Sequence, residues 1–407
     1  MMQILQKAQH KFDHETNIVF RLWQVFWVFT QMGLASFGGP AASIALMQRA
    51  IVERRKWITQ TEYLDFVAAS HIIPGPIAVQ LSLHLGYRRA GLPGAIIAVA
   101  GFVVPAAAIT WAIAVFYQRT QGLPQLEATL WGVRPAVLAV ILVSLSQIAK
   151  RLSWNNKRLA ILAGVVALNL LGIDAFIIMA LALGFGVIYL SITLMRSRQQ
   201  QVIQKDAPKQ VPEKGESDKR LASFLVPTVA MFSQASLWMK SLYLFGMFFK
   251  IGCLLYGGGN VLAAYIQSDF VDHGLLNHTQ FLDALAVGQS TPGPVLTVAT
   301  FVGYLLAGHM GAVSATLGII TPCVIIATLV HRFVSRARNY ESTSVLLNVV
   351  NVVVVGLILS VCISLGTVVF QDFAAIGVAL VAGALLLFLD IPPIVVIVGA
   401  ALLGWLL

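Results

Sequence analysis

Apolar runs recur along this chain at 19–34, 95–117, 126–148, 160–195, 312–330 and 345–369. Each approaches or exceeds the roughly 20 residues that cross a bilayer as a helix. Hydrocarbon offers no hydrogen-bond partner to the backbone, so such segments must satisfy their own N–H and C=O groups. The expected fold is an all-α polytopic membrane protein with about 10 to 13 membrane segments. Charged residues make up 11% of the chain, against about 25% in an ordinary soluble domain, which excludes that class. The formal net charge of +10 comes from Lys and Arg gathered in short loops between apolar runs. That is the positive-inside pattern of a membrane protein and not a nucleic-acid footprint.

Two of the apolar stretches are broken in the same way, by Pro74-Gly75-Pro76 in "SHIIPGPIAVQ" and by Pro292-Gly293-Pro294 in "GQSTPGPVLTVAT". The breaks belong to a longer internal repeat. "GLASFGGPAA" (33–42) answers to "GCLLYGGGNV" (252–261), "TEYLDFVAA" (61–69) to "TQFLDALAV" (279–287), and "GYRRAGLPG" (86–94) to "GYLLAGHMG" (303–311); Pro105 answers to Pro322. The expected domains are 1–195 and 221–407, joined by a polar, basic, cytoplasmic linker at 196–220.

Loop charge distinguishes a parallel from an inverted duplication. The loop at 49–65 carries Arg49, Arg54, Arg55 and Lys56, whereas its counterpart at 267–283 has no Lys or Arg. "GYRRAG" becomes "GYLLAG", while the sparsely basic 117–127 corresponds to 331–341 with Arg332, Arg336 and Arg338. Three matched loops change sign together, which predicts two repeats of opposite orientation. Inversion needs an odd number of crossings between equivalent points, and the stretch 221–239, or a re-entrant segment, is the expected source.

Proline removes a backbone donor and glycine permits positive φ, so each Pro-Gly-Pro is expected to end one half-helix and start another. The pairs Gly38-Gly39 and Gly257-Gly258 are expected second breaks. Paired interruptions in inverted repeats point to a transporter's central site, and half-helix amino termini favour an anion. The candidate binding residues are Gly38, Gly39, Pro40, Pro74, Gly75, Pro76, Gln80, Gly257, Gly258, Asn260, Pro292, Gly293 and Pro294. Lys250 interrupts an apolar run and joins them as an intramembrane cation, as does Arg134 with snorkelling as its alternative; Arg88 and Arg89 are candidate countercharges at the mouth of the half-helix after Pro76. His71, Glu62, Asp65 and Asp283 are candidates for proton coupling, and His84 also titrates. Asp65 and Asp283 occupy matched positions, where helix capping is the competing role. Cys253, Cys323 and Cys362 show no metal-ligand or disulfide spacing, so neither a metal nor a cofactor is expected. No GxxxxGK[ST] loop supplies nucleotide energy and no HExxH motif supports an intramembrane enzyme.

At these residues the chain resembles the chromate ion transporter family in its long, two-domain form. "SFGGPAASIALMQRAIVERRKWITQTEYLD" followed by "IIPGPIAVQLSLHLGYRRAGLPG" is similar to the family signature, and "YGGGNV" with "TPGPVLTVATFVGYLLAG" to its second-half counterpart. The resemblance implies an inner-membrane protein that exports chromate, its two domains oppositely oriented. Where many members carry His or Asn this chain has Ser43, His71 and Ile77, so sulfate or another oxyanion stays open as substrate. A passive anion channel is the rival mechanism. The bilayer and the oxyanion are the expected partners, and a homodimer is one assembly the reading leaves open.

Overall fold

The structure, a computed structural model, describes residues 2–37, 39–150, 152–184, 236–255, 259, 261–331, 341–389 and 391–406. Among these there are fourteen α-helices and no strand. In the first half they are α1 (Met2–Ala35), α2 (Gly39–Met47), α3 (Gln60–Ile72), α4 (Ile77–Thr120), α5 (Pro124–Lys150), α6 (Asn156–Leu170) and α7 (Ala175–Gly184). In the second they are α8 (Leu237–Cys253), α9 (Val261–Ile266), α10 (His278–Ser290), α11 (Val298–His331), α12 (Glu341–Val369), α13 (Phe373–Phe388) and α14 (Pro393–Leu406). Among the described residues five stretches are long and apolar enough to cross a membrane: Ile18–Ala35, Ile77–Thr120, Pro124–Lys150, Val295–Leu329 and Val349–Val369. The domain boundaries at 195 and 220 and most of the candidate crossing at 221–239 lie outside the described residues.

The repeat read from sequence is visible as matched irregularities. A π-helical turn follows α2 at Gln48–Arg54 and α9 at Gln267–Val271. Inside α4 the helix breaks at Ala90 (φ −144°, ψ 28°) and Gly91 (φ 65°, ψ −155°); inside α11 it breaks at Ala307 (φ −146°, ψ 27°) and Gly308 (φ 59°, ψ −146°). Both breaks are reversals of direction. A Cβ on Gly86 would overlap the carbonyl of Gly94, yet eight residues of unbroken helix span about 12 Å. Gly303 and Gly311 meet in the same way.

Each repeat therefore contains a re-entrant hairpin. Its arms are α3 and residues 77–89 in the first repeat, α10 and residues 295–306 in the second, with Pro-Gly-Pro at the tip. Thirteen residues of helix extend about 20 Å, short of the roughly 30 Å hydrocarbon core, so α3 penetrates without crossing. Thr59 caps α3 through the amide of Glu62 (3.2 Å), and Asn277 caps α10 in a reciprocal capping box with Gln280. Asp65 and Asp283 lie six residues further on, inside the helices, so the capping role considered for them belongs to Thr59 and Asn277.

The hairpins enter from opposite faces. The second part of α4 leaves the base of hairpin one at Gly91 and runs from Leu92 to Trp111, roughly 28 Å of helix. There Trp111 Nε1 donates to His309 Nδ1 at 3.1 Å, one residue beyond the reversal of hairpin two. One crossing thus connects the two bases, which makes the repeats inverted, in agreement with the reversed loop charges.

The apolar run 160–195 is interrupted in the structure. α6 ends at Leu170, Gly172 takes φ 87°, and the Asp174 side chain accepts from Phe176 N at 2.6 Å to open α7. A positive-φ glycine and a capping aspartate override a continuous apolar pattern.

Helices approach closely where small residues recur. A Cβ on Gly101 would sit 2.9 Å from the Phe26 carbonyl oxygen, and one on the matched Gly318 would sit 2.6 Å from that of Phe245. Replacing Gly318 by Leu is expected to cost about 1–3 kcal/mol through overpacking. Thermal unfolding of the detergent-solubilised protein checks this, with Gly383→Leu as the control, because nothing lies within 4 Å of a Cβ there.

Candidate functional site

Four chain breaks converge at the centre. Gly75 N–H donates to Leu255 O at 2.8 Å, and Gly293 N–H donates to Ser36 O at 2.8 Å. Gly75 matches Gly293, and Ser36 matches Leu255, so the two bonds are the same contact made once from each repeat. Both glycines have positive φ, 130° and 97°. A Cβ on Gly75 would come within 2.7 Å of Gln80 Nε2 and 3.0 Å of Cys323 Sγ; one on Gly293 would overlap Ala106, the counterpart of Cys323. Only glycine gives both the conformation and the space.

The same bonds correct one expectation. The Gly75 and Gly293 amides are already paired with carbonyls and are not available to an anion in this conformation. The donors left are those of the following turns. α4 begins at Ile77 and the matched segment begins at Val295, and the first amides of a helix have no intrahelical acceptor. Each amino end carries roughly half a positive charge. Ile77 and Ala78 face Val295 and Leu296 across a small cavity that Ser43, Pro76, Gly259, Gly293 and Pro294 complete. Its volume, about 20 Å³, is that of one water. A larger groove of about 650 Å³ between α5, α13 and α14 has no charged side chain among the described residues of its lining.

Of the other sequence candidates, Gln80 is buried at the hairpin-one tip, where Nε2 donates to Ile73 O (3.1 Å) and Pro74 O (2.9 Å). It closes the carboxyl end of α3 and holds the tip in shape. Gly39 and Pro40 open α2. Gly38, Gly257, Gly258 and Asn260 lie outside the described residues. Ser36 and Ser43 are joined by a hydroxyl–hydroxyl bond across the first-repeat break.

The charged candidates are elsewhere. Arg88 pairs with Glu62 at 2.6 Å, and Arg89 donates to Gln24 at 2.8 Å with its guanidinium 4.9 Å from the centre of the Trp57 ring. Both stand at the base of hairpin one, about 18 Å of helix from Pro76. The countercharge role at the half-helix mouth is thereby corrected: they tie the hairpin base together. His71 is exposed with Nδ1 2.8 Å from Val67 O, Asp65 is half-buried on α3, and His84 is buried, stacked on Phe66 at 5.5 Å.

Asp283 is 1% exposed and accepts from Arg134 Nε (2.9 Å), Arg134 Nη2 (3.1 Å) and the Tyr117 hydroxyl (2.8 Å). This bidentate clamp ties α10 of hairpin two to α4 and α5 of the first repeat. The position matching Arg134 is Asn351, so hairpin one lacks an arginine at the equivalent place. Lys250 donates to Asp269 at 2.6 Å. Sequence reasoning did not single out Tyr117, Asp269, Gly259 or Leu296; an unmatched acid opposite Ala50 was the one available signal, for Asp269.

The chain matches the chromate transporter family over residues 23–188 and 242–405. It belongs to that family. Similar relatives include a chromate transport protein of Cupriavidus metallidurans, 30% identical over 393 residues that cover 96% of this chain and 94% of that protein. A probable chromate transport protein of Synechococcus elongatus is 29% identical over 367 residues, 89% of each chain. An uncharacterized transporter of Methanocaldococcus jannaschii is 27% identical over 412 residues, covering both chains fully. No solved structure matches. As a chromate transporter family member the chain is a multi-pass membrane transporter, and its family matches each contain one pair of converging breaks.

Removing Arg134 strands the Asp283 carboxylate, which is 1% exposed. Arg134→Leu is expected to destabilise the folded protein by about 3–5 kcal/mol. The double variant with Asp283→Ala recovers part of that loss, which a double-mutant cycle on thermal unfolding reads directly.

Proposed function

We propose that the chain exports chromate across the bacterial inner membrane by alternating access to the cavity between the two Pro-Gly-Pro tips. One observation carries the reading: two symmetry-matched helix amino ends, at Ile77–Ala78 and Val295–Leu296, face one another across that cavity. A dianion between them would meet backbone donors and partial positive charge from both repeats. Each repeat, 1–195 and 221–407, acts as one half of the carrier, joined through the linker at 196–220.

A carrier fits better than an open channel. The cavity holds about one water, too little room for a tetrahedral oxyanion, so in this scheme the anion enters only when a tip moves. The hairpins reach the cavity from opposite faces, which supplies two alternative gates. The driving force is an ion gradient or anion exchange, and the anchoring of Glu62 and Asp283 by arginines makes those carboxylates positioning groups in this scheme.

Inverted vesicles are expected to accumulate labelled chromate, and collapse of the proton gradient to abolish accumulation driven by it. Chromate that stays outside while sulfate enters would overturn the substrate assignment. Gly75→Leu, inserted normally, is expected to lower uptake about tenfold or more, because overpacking at the tip opposes its closed position; wild-type uptake by that variant would reduce Pro-Gly-Pro to a kink.

A further inference from the structure

Asp269 lies on the π-helical turn after α9, and its side chain is 2% exposed. Oδ1 accepts the 2.6 Å bond from Lys250 Nζ, while Oδ2 is buried without a hydrogen-bond partner. Lys250 is on α8, over the Phe176 ring at 5.0 Å from its centre, and keeps 29% of its side chain exposed. The pair bridges the two arms of one tip. α8 leads into Leu255, whose carbonyl holds Gly75, and α9 leads away from Gly259, which lines the cavity. Tyr243 on α8, Tyr265 on α9, Asp174 before α7 and His273 beyond the turn are the other titratable groups facing the carboxylate.

The first repeat is an internal control. Its positions matching Lys250 and Asp269 are Gln31 and Ala50, yet it builds the same break, short helix and π-helical turn. The fold does not need the charges. A buried ion pair contributes little net stability, and an acceptor oxygen enclosed without a donor is costly. A proton on Oδ2 turns that oxygen into a hydroxyl and neutralises the carboxylate.

We propose that Asp269 is the proton-binding residue of this transporter, with Lys250 as the counter-ion that transmits its charge state to the central tip. Protonation weakens the attraction between α8 and the turn that follows α9, freeing Leu255 and Gly259 to shift at the cavity; deprotonation draws the arms together. The consequence for transport rests on the anion site proposed above, whereas proton binding does not.

Infrared difference spectra of the purified full-length protein between about pH 5 and about pH 8 are expected to show a protonated-carboxyl band. Asp269→Asn should remove it and Asp269→Glu should retain it, shifted. A band that persists in Asp269→Asn, or is missing from the wild type, overturns the assignment whatever the protein carries. In liposomes with a trapped pH dye, an imposed chromate gradient is expected to move protons, and the proton-to-anion ratio to fall about tenfold in Asp269→Asn; an equal ratio in both proteins also overturns it. With the band in place and chromate immobile even in the wild type, proton binding stands and the anion reading fails.

Discussion

A helix broken at membrane depth exposes amides and carbonyls that no lipid can satisfy. Here one break supplies the partner for another: the amide of Gly75 finds the carbonyl of Leu255, and the amide of Gly293 finds that of Ser36. Neither repeat completes its own centre. Duplication and inversion are thus linked to the backbone chemistry, because a tip entering from one face needs an acceptor carried by the repeat that faces the other way. The positive-φ glycines follow from the same constraint, since a Cβ at either would meet the opposing repeat.

On this symmetric backbone the charges are asymmetric. Hairpin two is held by the Arg134–Asp283–Tyr117 clamp, and its repeat also contains Lys250–Asp269. Hairpin one has its ion pair at the base, Arg88–Glu62, where the arginine side chain is 56% exposed. Such an exposed pair contributes little to stability, whereas the buried clamp resists separation of the elements it joins. The two hairpins are built alike and restrained differently, an asymmetry that suits the carrier proposed above.

The small central cavity also belongs to this picture. Its walls are helix amino ends and prolines, with Ser43 the one polar side chain among the described residues of its lining. An anion bound there, as proposed, would meet backbone dipoles more than side chains. This explains why the cationic side chains that attract attention in the sequence stand outside the cavity lining.

Much of the architecture was legible in the sequence because it rests on local chemistry. Proline and glycine break helices wherever they fall, apolar length sets what can cross, and loop arginines record orientation; breaks, repeat and inversion were all readable from these. The candidate site was legible only in part. That Gly75 and Gly293 mark the centre was readable, but that their amides are occupied depends on residues some 180 to 260 positions away in sequence and on the packing of two repeats. Arg88 and Arg89 sit close to Pro76 in sequence, yet a straight half-helix carries them to the opposite end of the hairpin. Asp283 has a matched twin in Asp65, and the sequence treats them alike; tertiary packing alone brings Arg134 and Tyr117 to one of them. The chain by itself determined where helices break and which way each repeat faces, because those properties belong to single segments. Only the tertiary structure decided which broken ends meet, since pairing is a property of two segments brought together.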